Sequence, residues 1–186
     1  MDLDKMNIYV FLADGFEEIE AIAPIDIFRR AGLNVTTVSV NGKQVVAGAH
    51  GIPVLSDAVF EDIRFANDSL LFLPGGLPGT YNLDAHRGLK DLLATQAEQG
   101  KEIAAICAAP SILGKMGVLE NKEAICYPGF EAELLKAKLS VNKIVKSDNI
   151  FTAKAAGVAI PFALKIVEEI KGKEIAEKIS KGIFFE

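Results

Sequence analysis

Apolar residues along this chain fall into two alternating rhythms. MNIYVFLA (Met6 to Ala13) and LNVTTVSV (Leu33 to Val40) are short runs rich in β-branched and aromatic residues, the length and chemistry of buried strands. Between them, EEIEAIAPIDIFRRAG (17–32) carries apolar residues at helical spacing. Ile19, Ile22, Ala23, Ile27 and Ala31 can share one face, and Gly32 is placed to stop the helix. The alternation continues with SLLFLPGG (69–76), a strand ending in a Pro-Gly-Gly break, and HRGLKDLLATQAEQG (86–100), an amphipathic helix. EIAAIC (102–107) is a further strand and APSILGKMG (109–117) a short helix. Next, EAICY (123–127) reads as a strand, FEAELLKAK (130–138) as a helix, and KIVKSDNIFTAK (143–154) as two strands meeting at Asp148-Asn149. Two helices over 158–182 close the chain. QVVAG and IPVLSD (44–57), with glycine at the turns, read as a hairpin or a flap. Strands that alternate with helices predict an α/β fold, a doubly wound and mostly parallel sheet with helices on both faces. The near-continuous apolar strands agree, because central parallel strands are buried on both sides. No repeat, low-complexity tract or linker divides the sequence, so 1–186 reads as one domain, with 1–5 as a flexible N-terminus.

Composition adds exclusions. A chain of 186 residues suits a single core, and 50% hydrophobic with 24% charged residues is an ordinary globular balance. The formal net charge is −5 and no basic stripe occurs, which argues against a nucleic-acid partner. The opening MDLDKM lacks the basic-then-apolar pattern of a signal peptide, and no apolar run is long enough to span a bilayer. The expectation is therefore a cytoplasmic protein with no membrane partner. Two cysteines, Cys107 and Cys126, are too few for a disulfide framework, and their spacing is not that of a zinc site. Only two histidines occur, His50 and His86, whereas most Cys or Ser hydrolases need a histidine base.

Ligands of such sheets bind beyond the carboxyl ends of the strands, which points to Asp14–Glu20, Pro74–Gly79 and Cys107–Ser111. A nucleotide is disfavoured: ADGFEE has one glycine where a dinucleotide fingerprint needs three, and Glu17 and Glu18 would repel a phosphate. Cys107 ends a strand and turns at once into a helix, the pattern of a nucleophile elbow. Ala108 and Ala109 fit the crowded turn, and Pro110 suits a first helical turn. The helix N-terminus would lower the thiol pKa. The competing reading is a small hydrophobe filling the sheet edge. Gly75 and Gly76 let the backbone approach a ligand and offer N–H groups to an oxyanion, or simply form a turn. Glu17 and Glu18 read as solvated first-turn charges. Glu20, among Ile19, Ala21 and Ile22, is either a surface residue or a partly buried carboxyl whose raised pKa lets it donate to a thiolate. Cys126 reads as structural, with a resolving thiol as the alternative.

ADGFEEIEAIAPIDIFRRAG, FLPGG and AAICAAPSIL, in this order and spacing, closely resemble the DJ-1/ThiJ/PfpI superfamily, specifically its DJ-1 branch, and the resemblance runs over almost the whole chain. It implies a flavodoxin-like fold close to that of class I glutamine amidotransferases. It further implies Cys107 as the reactive, oxidation-prone thiol, Glu20 as its partner carboxyl, Gly75, Gly76 and Ala108 as backbone oxyanion positions, and a homodimer packed partly through the first helix. One feature departs from the family: where many members carry a histidine, this chain reads Cys126-Tyr127-Pro128, leaving Tyr127 as a site neighbour and a poor base at neutral pH. His50 falls where a relative has arginine. A Cys-His-Glu triad is unsupported, which argues against a PfpI-type peptidase, and no residue supports an enzyme of thiazole or thiamin metabolism. The implied function is a cofactor-free and metal-free cysteine enzyme acting on reactive carbonyls or glycated proteins, of glyoxalase or deglycase type, in stress protection. The alternative is a non-enzymatic oxidative-stress sensor or chaperone working through Cys107 oxidation.

Overall fold

A computed structural model describes residues 6–185. The proposed flexible segment 1–5 lies outside the described residues. Strand β1 (Asn7–Leu12) leads into helix α1 (Glu18–Arg30) and strand β2 (Asn34–Ser39). A small hairpin, β3 (Val45–Ala47) with β4 (Pro53–Leu55), precedes the edge strand β5 (Ala58–Val59). Then come β6 (Ser69–Leu73), α2 (Gly79–Ala85), α3 (Arg87–Glu98), β7 (Ile103–Ile106) and α4 (Pro110–Lys115). Two short strands, β8 (Glu123–Ala124) and β9 (Lys138–Leu139), pair with each other. The chain closes with β10 (Ile144–Ser147), β11 (Ile150–Ala153), α5 (Ala159–Lys171) and α6 (Lys173–Gly182).

The main sheet has the order β10-β11-β7-β6-β1-β2-β5, and every neighbouring pair is parallel except β10 with β11. Alternation along the strands sorts the apolar side chains into two cores. Ile8, Val10 and Leu12 of β1, with Leu70, Phe72, Ala104 and Ile106, pack under α1, α5 and α6. Tyr9, Phe11, Leu71, Leu73, Ile103 and Ala105 face the other way, under α3 and α4. This is the doubly wound architecture the alternating pattern predicts, and it is flavodoxin-like as the family resemblance implies. The strand order reverses between β1 and β6, and the crevice at their carboxyl ends is where such sheets hold ligands.

Two expectations need correction. FEAELLKAK does not form a helix: only Glu131–Glu133 makes a 3₁₀ turn, and Lys136 has φ 57°. Leu134 is buried where the chain crosses Gly114 of α4, so closely that a Cβ on Gly114 would lie 2.2 Å from the Glu133 carbonyl oxygen. Backbone groups of the segment then bond sideways, Asn121 N–H to Lys136 C=O and Lys138 N–H to Lys122 C=O, instead of along a helix. The face assigned to α1 is also different. Its buried side is Ala21, Pro24, Ile25, Ile27 and Phe28, whereas Ile19 and Ile22 are 55% and 42% exposed. α1 is apolar on more than one side, so spacing alone could not choose which side meets the sheet.

Candidate active site

Three loops meet at the switch point: 13–17 after β1, 74–78 after β6, and the turn at Cys107 after β7. They touch through backbone. Glu17 N–H donates to Gly75 C=O at 2.9 Å, and Gly79 N–H donates to Gly15 C=O at 3.1 Å. Gly76 has φ +93°, and a Cβ there would lie 2.3 Å from Glu17 N, so only glycine lets these loops close. A Cβ on Gly75 would lie 2.7 Å from both Cys107 Cβ and Glu20 Oε2.

Cys107 sits at φ 66°, in the left-handed region that a non-glycine residue rarely adopts. Such a conformation costs about 1–3 kcal/mol and persists only where surrounding bonds enforce it. Here Cys107 N–H donates to Ala153 C=O at 2.9 Å, and Tyr127 N–H donates to Cys107 C=O at 2.7 Å. The strained turn presents a half-buried thiol toward α1, with the Ala108 and Gly76 amides bonded to the sulfur.

Glu20 is 1% exposed. Its Oε2 accepts Gly75 N–H at 3.0 Å, and the carboxyl also bonds the Ala156 amide and the Cys107 thiol. Burial raises its pKa to about 7, helped by the charge of Glu17 and opposed by those hydrogen bonds. Burial also raises the Cys107 thiol to about 12, together with the charge of Glu20 and the hydrogen bond to it, and against the Ala108 and Gly76 amides. Thiol and carboxyl thus form one coupled acid. It carries two protons below about pH 7 and a single shared proton between about 7 and about 12.

The residues singled out from sequence divide as follows. Cys107, Glu20, Gly75, Gly76 and Ala108 converge in one cluster. The Gly75 N–H, however, is already donated to Glu20, which leaves Gly76 and Ala108 facing the sulfur. Tyr127 adjoins Cys107 through its backbone, and the residue is 47% exposed. Cys126 is buried in the core on the opposite side of the sheet from the cluster Cys107 joins, with burial and then Glu131 raising its pKa to about 11. That arrangement counts against a resolving thiol. His86 caps α3 by accepting Leu89 N–H and packs edge-on against Phe60.

Glu17 and Glu18 are not the solvated pair the first-turn position suggests. Glu17 caps α1, its Oε2 accepting Glu20 N–H at 2.7 Å. Glu18 is buried and clamps the β3–β4 hairpin: Oε1 accepts His50 N–H at 2.8 Å, and Oε2 lies 2.8 Å from His50 Nδ1. Burial pushes Glu18 up, but the bonds from the His50 ring and backbone outweigh it and hold the carboxyl below its usual range. Glu17, Glu18 and His50 bring one ligand-type atom each within 4.8 Å of one another. Those carboxylates are already engaged by Glu20 N–H and by His50 and Ile52, so the trio works as a hydrogen-bonded clamp. Gly48 leaves room for the clamp, since a Cβ there would lie 2.2 Å from Glu18 Oε1. The Ala156 amide carried no sequence signal.

Comparison with known proteins gives a consistent result. The model of the DJ-1/PfpI family matches residues 6–169. Protein dj-1beta of Drosophila melanogaster is 38% identical over 176 residues, covering 94% of each chain. A Caenorhabditis elegans protein named glutathione-independent glyoxalase DJR-1.2 is 30% identical over 185 residues, covering 98% of each. Among solved structures, oxidized DJ-1 of Toxoplasma gondii superposes with a TM-score of 0.92 at 33% identity, covering 96% of this chain and 98% of that one.

Proposed function

The chain belongs to the DJ-1/PfpI family, and from that premise we propose that it acts on reactive α-oxoaldehydes, with Cys107 as nucleophile and Glu20 moving the protons. The observation that carries the reading is the strained Cys107 turn: a thiol at φ 66°, hydrogen-bonded to a buried carboxyl that burial raises to about 7, and facing two backbone amides. The C. elegans relative named as a glyoxalase supports the reaction class.

The reactive form has the proton on Glu20 and the charge on sulfur. The thiolate adds to the aldehyde carbon of a compound such as methylglyoxal. The S–C bond forms and the carbonyl π pair moves to oxygen, where the Gly76 and Ala108 amides stabilise it and the Glu20 proton neutralises it. The product is a hemithioacetal, and Glu20 is now a carboxylate. It removes the proton from the same carbon, the electron pair shifts toward the neighbouring ketone, and the proton returns at C2. A lactate thioester results. Water cleaves it to lactate and the free thiol. Methylglyoxal plus water gives lactic acid, an internal redox exchange that needs no external oxidant or reductant. The sequence places no histidine base here, and this route uses none. The same attack on early glycation adducts would release the amine or thiol.

The test is lactate formation from methylglyoxal by wild type, Cys107→Ser and Glu20→Gln. Equal rates in all three would overturn the reading. A second reading, oxidation of Cys107 to a sulfinate, draws on the same amides and carboxyl, which suit its oxygens, and on the oxidized state named for the Toxoplasma relative. A homodimer through α1 fits the exposure of Ile19 and Ile22.

A further inference from the structure

Both peptide groups that flank Cys107 are held from the end of strand β11. Cys107 N–H donates to Ala153 C=O at 2.9 Å. Cys107 C=O accepts Tyr127 N–H at 2.7 Å, and the segment that brings Tyr127 there is tied down two residues earlier, where Ile125 N–H donates to Thr152 Oγ1 at 3.1 Å. We propose that Thr152 is a positioning residue for the Cys107 thiol: its hydroxyl anchors 125–127 to the sheet, and through Tyr127 N–H that anchor holds Cys107 in its left-handed turn. The role rests on the reading of Cys107 given above and adds to it a residue that touches neither the thiol nor a substrate.

A hydroxyl is unexpected on this strand. Thr152 is 1% exposed in a strand buried along its whole length, and burying a hydroxyl is unfavourable unless it is hydrogen-bonded. Its register partner on β7 is Ala105, two residues before Cys107. β11 therefore carries a polar atom beside the elbow, where the chain leaving β8 has a backbone N–H to satisfy. The bond is buried, so water cannot simply replace it. Two penalties of the same order then face each other. One is the left-handed backbone of Cys107 at φ 66°. The other is a buried N–H left without a partner. Without the hydroxyl, 125–127 lowers its own penalty by shifting until Ile125 N–H reaches another acceptor, and Tyr127 N–H goes with it. The elbow loses a bond that holds it, and the sulfur moves away from Glu20 and from the Gly76 and Ala108 amides. Tyr127 serves here through its N–H, which every residue except proline supplies, so the anchor does not depend on the phenol ring.

The experiment compares wild type, Thr152→Val, Thr152→Ser and Gln96→Leu. Valine keeps the shape and strand preference and removes the hydroxyl, and serine restores it. Gln96 is a buried control at the amino ends of β6 and β7, where its Nε2 donates to Ser69 C=O at 2.6 Å and to Glu102 C=O at 3.1 Å. The readouts are kcat and KM for lactate formation from methylglyoxal, the pH profile of Cys107 alkylation by iodoacetamide, and hydrogen exchange of the Ile125 and Tyr127 amides. Thr152→Val is expected to lower kcat by about tenfold to hundredfold with KM within about twofold, the pattern of a misplaced reacting group. It should also lose protection at both amides and bring the alkylation profile to that of a cysteine in a short peptide. Thr152→Ser should recover most of kcat, whereas Gln96→Leu should melt at a lower temperature with wild-type kcat and profile. Wild-type kcat and Tyr127 protection in Thr152→Val would overturn the role. So would a serine variant as slow as the valine variant, or a Gln96→Leu variant slowed as much as Thr152→Val. Wild type that releases no lactate would overturn the α-oxoaldehyde reading instead. Lost Tyr127 protection and the altered alkylation profile in Thr152→Val would then still support the anchor.

Discussion

Glu20 is the residue at which stability and chemistry oppose each other. Its carboxyl keeps its proton in the fold to about pH 7, against a value of 4.5 when unperturbed. Between those two values the folded state binds more protons than the unfolded state. Stability contributed by this group therefore falls as pH rises from 4.5 to about 7. The shift corresponds to about 3 kcal/mol, as an order of magnitude, since one pKa unit is about 1.4 kcal/mol. Glutamine at this position can accept the Gly75 N–H and donate to the sulfur without ever ionising. Glu20→Gln should raise the melting temperature at pH 8 and leave it little changed at pH 4.5, as read by calorimetry at both values. A variant no more stable than wild type at pH 8 would mean that Glu20 ionises there without cost. The positive φ of Cys107 adds a second local cost at the same place. Together they mark a site whose arrangement the rest of the fold has to sustain.

At the scale of elements, the site depends on how closely three loops approach. Gly75 lies where a single methyl group would collide with Cys107 Cβ, Glu20 Oε2 and the Ile106 carbonyl at once. Two of these neighbours are backbone or a β-carbon, and such atoms cannot swing aside. Gly75→Ala should destabilise the fold by about 1–3 kcal/mol, the usual cost of overpacking, and should separate Glu20 from the thiol. Lowered Cys107 alkylation at pH 7 together with a lower melting temperature would bear this out; an unchanged thiol would mean the loops have slack. Much of this level was legible in the sequence. PGG after an apolar strand and Cys-Ala-Ala-Pro after another point to the two turns, and the alternation of strand and helix implies the sheet edge where they meet. The clamp made by Glu18 was not legible, because its partner His50 lies 32 residues away on a hairpin whose docking depends on tertiary contacts. Nor was the fate of 130–138, whose Phe130, Leu134 and Ala137 have helical spacing but whose backbone is captured by α4 and β8. Short polar segments take their conformation from neighbours that local pattern does not reveal.

Across the whole molecule, the two-sided apolar character of α1 finds its use. One side fills the core through Ala21, Pro24, Ile25 and Phe28, and Ile19 and Ile22 remain on the surface. Ile22 and the 69% exposed Leu55 of β4 line one shallow cavity, so the helix and the hairpin present a joint apolar surface. A second copy of the chain is the occupant we propose for it. Ile22→Glu should convert a dimer to a monomer in sedimentation velocity, and a wild-type monomer would rule the proposal out. No helix among the described residues is long and apolar enough to cross a membrane. The central claim concerns the pair at the switch point. Its most direct test is lactate formation from methylglyoxal with purified wild type, Cys107→Ser and Glu20→Gln at pH 7. The account predicts steady lactate release by wild type, none above background for Cys107→Ser, and a loss of about 10²–10⁴-fold for Glu20→Gln, the usual effect of removing a general acid–base group. Lactate released equally by all three, or not at all by wild type, would contradict it.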